Sequence, residues 1–308
     1  MSAPVKPQFP DEAGSDGTFK RQGDAFREPI LPEAGRYHLY ISWACPWASR
    51  TAIVRKLKGL EDAIGMSAVD PVRDERGWAF RDGPGYSRDP VNGFEFLSEA
   101  YKVTDPDYRG RVTVPVLWDK RAKRIVNNSD DDIMRAFEIG FESLAKNHID
   151  LYPASHRAEI DALNELIYET VNNGVYRAGF ATSQRAYEEA GYRVFETLDE
   201  LETRLKKKRY LIADHPLEID WKLFVTLIRF DAVYYGHFKC NLRRIVDYPN
   251  LWGYLRDLYQ QDGIAETVNF DHIKRHYYMT HAEINPTGIV PVGPLLDLDA
   301  PHGRERLS

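Results

Sequence analysis

The 308-residue chain is long enough for two domains, and its 43% apolar, 12% aromatic and 29% charged residues are typical of a globular protein. The net charge of −6, without a basic stripe, excludes nucleic acid as an expected partner. The apolar runs are too short to cross a bilayer and the polar start holds no signal sequence, so we expect no membrane partner and a cytoplasmic location.

The first predicted elements form a β-α-β unit. Residues 1–35 are rich in Pro, Gly and charge, and they are expected to form an N-terminal extension on the surface. Apolar and polar residues alternate over 36–42, which predicts a strand, and Pro46 suits the first position of a following helix. A second strand is predicted over 63–71.

A long loop and a hairpin are predicted next. Residues 72–110 contain many Gly, Pro, Asp and Arg residues, which indicates a loop with one short helix. Residues 111–119 predict a strand in which Pro115 must lie at an edge, at a bulge or at a cis bond. Residues 124–126 are the candidate partner strand.

A helix capped by Ser129 or Asp130 completes the order β-α-β-loop-β-β-α. This order is typical of an α/β thioredoxin-like domain, which we assign to 36–148. The following sequence predicts an all-α domain over 149–280 and an extended C-terminal tail over 281–308. The candidate helices of the second domain are 155–173, 183–207, 219–235, 248–260 and 270–277.

Cys45 lies where the first predicted strand passes into the first helix. The free N–H groups and the dipole of a helix N-terminus lower the pKa of a cysteine there to roughly 3.5–7.5, so Cys45 is a candidate nucleophile. An inert core cysteine is the alternative. Ala48 stands where a C-x-x-C motif has its second thiol, and Cys240 is a weak candidate for an internal resolving cysteine. A disulfide formed at Cys45 therefore needs an external small thiol.

Seven segments resemble the glutathionyl-hydroquinone reductases, the Xi class of glutathione transferases, over roughly residues 18–308. The CPWA turn at Cys45 also fits omega-type transferases, whereas the segments that contain NNGVYRAGF and NFDHIKRHYY are more specific. The segments are YHLYISWACPWASR, KGLEDAIGMSAVDP, RGRVTVPVLWDK, YETVNNGVYRAGFATSQRAYEEA, RFDAVYYGHFKC, IAETVNFDHIKRHYY and INPTGIVPVGPLLDLDAPHGR.

The resemblance implies a glutathione transferase fold, a homodimer and a thiol-dependent reductase activity. In that chemistry the Cys45 thiolate attacks the sulfur of an S-glutathionyl hydroquinone, the hydroquinone leaves, and a mixed disulfide forms on Cys45. A second glutathione then releases glutathione disulfide, so glutathione is the expected cosubstrate.

The resemblance also assigns roles to aromatic residues. Tyr176 matches a tyrosine that donates or accepts a proton near the aromatic substrate. Tyr234 and Tyr277 match tyrosines that approach the cysteine, lower its pKa and line the hydroquinone pocket, as phenol groups can by hydrogen bonding and stacking. Trp78 matches a tryptophan that contacts glutathione.

A further set of residues is implied to bind the thiol through the backbone. In thioredoxin-like folds a cis proline at the position of Pro115 leaves the preceding backbone, here Val114, free to pair with the cysteine of the tripeptide. Val112 and Thr113 belong to the same segment.

One departure from the family pattern bears on the identity of the thiol. The family has a Glu-Ser pair at the start of the helix after the hairpin, where the acid and the hydroxyl hold the ammonium and carboxylate of the γ-glutamyl group. This chain has Ser129-Asp130, the same two chemistries in reverse order. Glutathione with rearranged contacts is one outcome, and mycothiol, which lacks a γ-glutamyl group, is the other.

Two further departures concern stability more than chemistry. Ser49 stands where the family usually has His after CPWA, and we infer no loss of activity from it. Leu217 replaces the hydroxyl residue of a Ser/Thr-x-x-Asp capping box in which Asp220 remains, and a lost cap costs about 1 kcal/mol.

Other functions are less well supported. A non-catalytic transferase-like binding scaffold is the alternative to the enzyme, and the altered Ser129-Asp130 corner favours it. His272, His276 and His281 have partly metal-like spacing, but without an HExxH or cysteine set they are expected to pack or to face solvent. Neither a metal nor a nucleotide is expected, since no P-loop or GxGxxG motif follows a strand.

Overall fold

The computed structural model describes residues 12–307, so the first 11 residues of the predicted N-terminal extension lie outside the described chain. The described chain divides into two compact units. Unit 1 contains Gln22–Ile149 and Glu266–Val290, and unit 2 contains Asp150–Ala265 with the segments that end at Arg21 and begin at Pro291.

Unit 1 is built on a mixed sheet of four strands. The strands are β1 (Tyr37–Ile41), β2 (Gly65–Ala68), β3 (Val116–Asp119) and β4 (Arg124–Asn127). Their order in the sheet is β2-β1-β3-β4. Strand β1 is parallel to β2 and antiparallel to β3, and β3 and β4 form an antiparallel hairpin. This arrangement of strands is the one expected of a thioredoxin-like domain.

The helices of both units follow in chain order. They are α1 (Pro46–Leu57), α2 (Leu97–Thr104), α3 (Asp130–Arg135), α4 (Arg157–Ile167), α5 (Gly174–Gly179), α6 (Gln184–Leu205), α7 (Glu218–Arg229), α8 (Pro249–Tyr259) and α9 (Phe270–Thr280). The helices α3, α4 and α7 each continue into a short π-helical segment, at Ala136–Gly140, Tyr168–Asn172 and Phe230–Tyr234 respectively. Within residues 12–307, no helix combines the length and apolar character that crossing a membrane requires.

Strand β1 is buried along its whole length. Its alternating sequence predicts one polar face, yet His38 and Tyr40 are as enclosed as the apolar residues beside them. The polar side chains are satisfied inside the fold, because His38 Nε2 lies 2.8 Å from Ser67 Oγ and the Tyr40 hydroxyl donates to Asp89 at 2.7 Å. A central strand covered on both faces needs such internal partners for its polar groups.

The prediction of a strand over 111–119 is correct only from Val116 onward. Before that residue the chain is held by a side chain instead of by a neighbouring strand. The Tyr101 hydroxyl lies 3.1 Å from the Thr113 amide nitrogen and 2.9 Å from its carbonyl oxygen. The Val114–Pro115 bond is cis, which is one of the three arrangements predicted for Pro115.

Unit 2 contains the helices α4 to α8. The predicted helices agree with the observed ones to within a few residues, except that 155–173 and 219–235 each pass from α-helix into a π-helical segment. The six-residue helix α5 was not predicted.

Helix α9 clusters with unit 1, whereas the sequence placed 149–280 together in the helical domain. The physical reason is that buried side chains of α9 contact the long loop that follows β2. His276 Nδ1 lies 2.8 Å from the carbonyl oxygen of Pro71, and the Thr280 hydroxyl accepts from the Arg73 amide at 3.3 Å.

Candidate active site

The Cys45 thiol lies at the N-terminus of a complete helix. Cys45 is the N-cap residue of the 12-residue helix α1, and Pro46 occupies the first helical position. The Cys45 amide donates to Ser42 at 3.0 Å, which closes the turn after β1. The thiol is half-buried, so it combines access with the favourable dipole of the helix, as the sequence predicts.

The predicted thiol-binding segment lies directly against this thiol. Cys45 Sγ donates to the carbonyl oxygen of Val114 at 3.5 Å. Thr113 is fixed by the Tyr101 hydroxyl and by Asn128, whose Nδ2 lies 3.3 Å from Thr113 Oγ1. The backbone before Pro115 therefore has a defined position beside the sulfur, although Val112 to Pro115 remain predicted binding residues.

Ser129 and Asp130 lie at the N-terminus of α3, where they have intramolecular partners. Ser129 is the N-cap, and its hydroxyl accepts from the Asp132 amide at 3.4 Å. The Asp130 carboxylate accepts from Arg50 at 2.8 Å, and the two side chains are only 16% and 1% exposed. Because Arg50 belongs to α1, this ion pair joins the predicted thiol-binding corner to the helix that carries Cys45.

Trp78 lies in the loop after β2 and is nearly enclosed. Its side chain is 4% exposed, its ring stacks on His276 with centroids 4.9 Å apart, and the Arg73 guanidinium lies 5.0 Å from the ring centroid. Tyr277, the neighbour of His276 on α9, is 1% exposed and packs against His281 at 5.5 Å. Trp78 thus packs against α9, the helix that carries Tyr277, within unit 1.

The three histidines near α9 are all buried, so the alternative that they face solvent is wrong. His276 and His272 each lie within hydrogen-bond distance of a backbone carbonyl, at 2.8 and 2.7 Å. Burial lowers the pKa of His272, which favours the neutral ring.

Tyr176 and Tyr234 lie in unit 2, in a cluster of aromatic rings. Their ring centroids are 6.0 Å apart, and the ring of Phe238 lies 5.3 Å from the first and 5.5 Å from the second. Gly179 permits this packing, since a Cβ atom there would lie 2.2 Å from the ring of Phe238. Tyr234 ends a π-helical segment, an irregularity that is frequent at functional sites.

An arginine of the N-terminal segment covers Tyr176. The Arg21 guanidinium lies 4.6 Å from the centroid of the Tyr176 ring, and its Nε donates to Asn173 at 2.9 Å. Hydrogen bonds from Thr182 and Ser183 to the carbonyls of Gly17 and Asp16 hold this segment in place. Sequence reasoning missed Arg21 because no local pattern connects it to residues 150 positions away.

Cys240 is unsuited to resolve a disulfide. It is 1% exposed, and burial raises the pKa of its thiol to about 12. A thiol of that pKa is not ionised near neutral pH, so Cys240 is a core residue and any resolving thiol must come from outside.

The predicted residues therefore fall into two groups. Unit 1 holds Cys45, the 112–115 segment, Ser129, Asp130, Trp78 and Tyr277, and unit 2 holds Tyr176 and Tyr234.

Sequence reasoning also missed Arg50, Tyr101 and Asn128. The available signals were weak: a basic residue within the apolar stripe of α1, a tyrosine in the short helix, and the asparagine before Ser129.

Comparisons with known proteins agree with this arrangement. Residues 44–138 match the model of the N-terminal domain of glutathione S-transferases, and residues 184–257 match the model of the C-terminal domain. The first match contains Cys45 and the strands β2, β3 and β4, and the second contains the helices α6 and α7 and most of α8.

Individual relatives match nearly the whole chain. Glutathionyl-hydroquinone reductase YqjG of Escherichia coli is 51% identical over 96% of this chain and 94% of its own length. The structure of YqjG with bound glutathione has a TM-score of 0.88 at 53% identity, covering 95% of this chain and 94% of that one. An Xi-class glutathione transferase from Natrialba magadii has a TM-score of 0.90 at 50% identity, covering 92% and 89% of the two chains. The chain therefore belongs to the glutathionyl-hydroquinone reductases, the Xi class of glutathione transferases.

Proposed function

We propose that this protein removes glutathione from S-glutathionyl hydroquinones through a mixed disulfide on Cys45. The observation that carries the proposal is the half-buried Cys45 thiol at the N-terminus of α1, 3.5 Å from the Val114 carbonyl oxygen, in a chain whose second cysteine is buried. A relative of 51% identity bears the name of this activity, which supports the same reaction here.

The reaction consists of two attacks by a thiolate on sulfur. The Cys45 thiolate attacks the glutathionyl sulfur, so that a sulfur–sulfur bond forms while the bond from sulfur to the aromatic carbon breaks. The electron pair of the broken bond goes to the ring carbon, which takes a proton, and Tyr176 is the proposed donor. A second glutathione thiolate then attacks the mixed disulfide, which releases glutathione disulfide and restores the Cys45 thiolate.

The surrounding residues have proposed roles in binding and activation. The backbone of Val114 pairs with the cysteine of the tripeptide, with Val112, Thr113 and Pro115 in the same segment. Trp78 contacts glutathione, and Tyr234 and Tyr277 line the site of the quinol. A phenol can donate a hydrogen bond to a thiolate or to a quinol oxygen, while its ring offers an apolar face to the arene.

Glutathione is the proposed thiol, with mycothiol as the second candidate. A homologous structure at 53% identity holds glutathione, which favours glutathione here. The second candidate rests on the pair between Arg50 and Asp130, because a carboxylate already neutralised by an enclosed guanidinium attracts an ammonium group less strongly. In that case the Ser129 hydroxyl contributes more than Asp130 to binding the polar groups of the small-molecule thiol.

The test compares two conjugates of one quinol. Purified protein is supplied with glutathionyl-menadiol, the reduced conjugate, and glutathione, and menadiol release is followed. The mycothiol conjugate of menadiol is assayed with mycothiol in parallel. We expect turnover with the glutathione pair and its loss in Cys45→Ser. Turnover with the mycothiol pair alone would replace the thiol and keep the mechanism. No turnover with either would leave the non-catalytic scaffold as the better account.

We also propose that the protein acts as a cytoplasmic homodimer. The family relationship supports the assembly. Light scattering coupled to size-exclusion chromatography tests it directly, since the 35.5 kDa chain should elute with twice that mass.

A further inference from the structure

We propose that His272 and His276 are positioning residues, which hold the loop after β2 and thereby position Trp78, a predicted thiol-binding residue, and the side chain of Trp43, two residues before Cys45. The inference rests on the proposed function for the meaning of that site. Its structural basis lies wholly within unit 1, in contacts between α9 and residues 70–88.

His272 acts on the loop next to the Cys45 turn. Its Nε2 lies 2.7 Å from the carbonyl oxygen of Pro84, so Nε2 carries the proton and donates it. The next carbonyl, that of Gly85, accepts from the indole Nε1 of Trp43 at 3.0 Å. The adjacent carbonyls of Pro84 and Gly85 thus connect His272 of α9 to Trp43, which lies two positions before Cys45.

The close approach of this loop to α9 depends on Gly85. Its φ of +81° lies in the left-handed region, and an added Cβ would lie 3.2 Å from His272 Nε2 and 3.1 Å from the side-chain Nδ2 of Asn269. A residue with a Cβ would be strained at this φ, and the side chains of His272 and Asn269 would have to shift by a few tenths of an ångström to admit it.

His276 acts on Trp78. Its Nδ1 lies 2.8 Å from the carbonyl oxygen of Pro71, which fixes the plane of the imidazole ring. The indole of Trp78 stacks on that ring at 4.9 Å, with an angle of 21° between the planes. The orientation of Trp78 therefore follows from a histidine whose own orientation is set by a hydrogen bond.

The loop needs such external supports because it has little secondary structure of its own. Between β2 and α2 its backbone forms isolated bridges, such as Asp74 with Gly77 and Gly83 with Tyr86, and single hydrogen bonds, such as that from the Leu97 amide to the Trp78 carbonyl at 2.9 Å. Hydrogen bonds from buried side chains to its carbonyls supply the directional contacts that apolar packing lacks. An apolar ring in place of His272 would fill the space and leave the Pro84 carbonyl without this donor.

The test uses variants that keep or remove single features of each ring. In His272→Gln the amide nitrogen reaches the place of Nε2, whereas in His272→Asn it does not. In His276→Asn the amide nitrogen reaches the place of Nδ1 but the stacking ring is lost, and in His276→Phe the ring stays while the donor is lost. His148→Asn, at a histidine ring that is 71% exposed, is the control.

Two readouts are compared with the wild-type protein: hydrogen exchange of the amides in residues 70–88, and KM against kcat for glutathionyl-menadiol. We expect His272→Asn to raise exchange at least tenfold and KM at least fivefold, with kcat changed less than threefold and His272→Gln within twofold of wild type. Both His276 variants should raise KM, because each loses one determinant of the Trp78 orientation.

Equal behaviour of His272→Gln and His272→Asn, or an unchanged KM in every variant, would overturn the inference. Failure of the proposed function gives a different result. In that case the wild-type protein releases no menadiol, while the exchange measurements on the same variants still decide whether the histidines hold the loop.

Discussion

Asp130 and Arg50 show how one side-chain pair can connect two parts of a site. Arg50 lies on the helix that begins at Cys45, and Asp130 lies in the first turn of α3. The guanidinium also lies 4.5 Å from the centroid of the Trp47 ring, so it is surrounded by an aromatic face and a carboxylate. Such an enclosed cation depends on its partner much more than an exposed one does.

Replacement of Asp130 by Asn should therefore destabilise the protein by roughly 2–3 kcal/mol, since the 1%-exposed Arg50 side chain loses the charge of this carboxylate. Chemical unfolding at neutral pH measures the change. Arg27→Gln is the matched control, because the pair of Arg27 with Asp132 is 57% and 32% exposed and should contribute less than about 1 kcal/mol. If Asp130 instead served chiefly to bind the thiol, Asp130→Asn would raise KM and leave the unfolding free energy unchanged.

His38 predicts how stability depends on acid. Burial lowers the pKa of this histidine from 6.5 to about 4, so the unfolded chain binds the proton more readily than the folded one. The free energy of unfolding is therefore highest with respect to His38 above pH 6.5. It falls by up to about 3 kcal/mol as the pH decreases from 6.5 toward 4.

In His38→Gln the free energy of unfolding should fall less steeply between pH 6.5 and 4 than in the wild type. An amide can still hydrogen-bond to the Ser67 hydroxyl, so the loss at pH 7 should be small. Urea unfolding at a series of pH values checks this, with the exposed His148→Gln as control. Parallel curves for wild type and His38→Gln would show that His38 is not the group responsible.

At the scale of elements, the start of α7 shows how the missing capping hydroxyl is replaced. The fully buried Asp220 carboxylate accepts from the amides of Leu217 and Leu211 at 2.8 and 3.0 Å and from the Tyr254 hydroxyl at 2.8 Å. Leu217 itself is fully buried and supplies apolar contact at the same position. The helix start is therefore held by Asp220 and by packing, without a Ser or Thr at the cap.

Asp220→Ala should cost at least about 3 kcal/mol, because three buried donors lose their acceptor together. Ser183→Ala, which removes the cap of α6, should cost about 1 kcal/mol and is the matched control. Leu217→Thr should not stabilise the protein, since a gained cap of about 1 kcal/mol is offset by the loss of buried apolar surface. Equal losses in Asp220→Ala and Ser183→Ala, measured by thermal unfolding, would contradict this account.

Elements with strong local patterns were predictable from the sequence. The strand β1, the helix that begins at Pro46 and the long helix α6 follow from alternation, proline position and the 3.6-residue period. The predicted strand over 111–115 failed because its backbone groups bond to side chains. Those of Thr113 bond to Tyr101, and those of Arg111 bond to Gln22 and Tyr108, which alternation cannot reveal. The six residues of α5 are too few to produce a clear helical period.

At the scale of the whole molecule, the C-terminal tail is anchored by one buried arginine. Arg304 is 3% exposed and donates to the carbonyls of Leu205 at 3.0 Å, Arg209 at 2.9 Å and Asn250 at 3.3 Å, and also to that of Lys208. The sequence predicted an extended tail but gave no sign of this insertion, since the four acceptors are backbone atoms.

Arg304→Met should lower the midpoint of thermal unfolding markedly and cost at least about 3 kcal/mol, because several carbonyls lose a charged donor. Arg306→Met, two residues further along and exposed, should change the midpoint little. Circular dichroism at 222 nm follows both transitions. A variant at Arg304 as stable as the one at Arg306 would mean that the tail does not contribute to the stability of unit 2.

The placement of α9 is the part of the fold that no local pattern could supply. Its sequence predicts a short helix, but its membership in unit 1 arises from contacts with residues about 200 positions earlier, such as that of His276 with Pro71. The same limit applies to the site. The position of Cys45 follows from its strand and helix, whereas the partners of Asp130 and Trp78 appear only in the folded chain.

The most direct measurement of the central claim is the intact mass of the reduced protein after one turnover. Wild type and Cys45→Ala are mixed with glutathionyl-menadiol, the reduced conjugate, in the absence of free glutathione. The account predicts that the wild type gains the mass of one glutathione, releases one equivalent of menadiol and loses the added mass when glutathione is supplied. Release of menadiol without an adduct, or an adduct that also forms on Cys45→Ala, would contradict a mixed disulfide at Cys45.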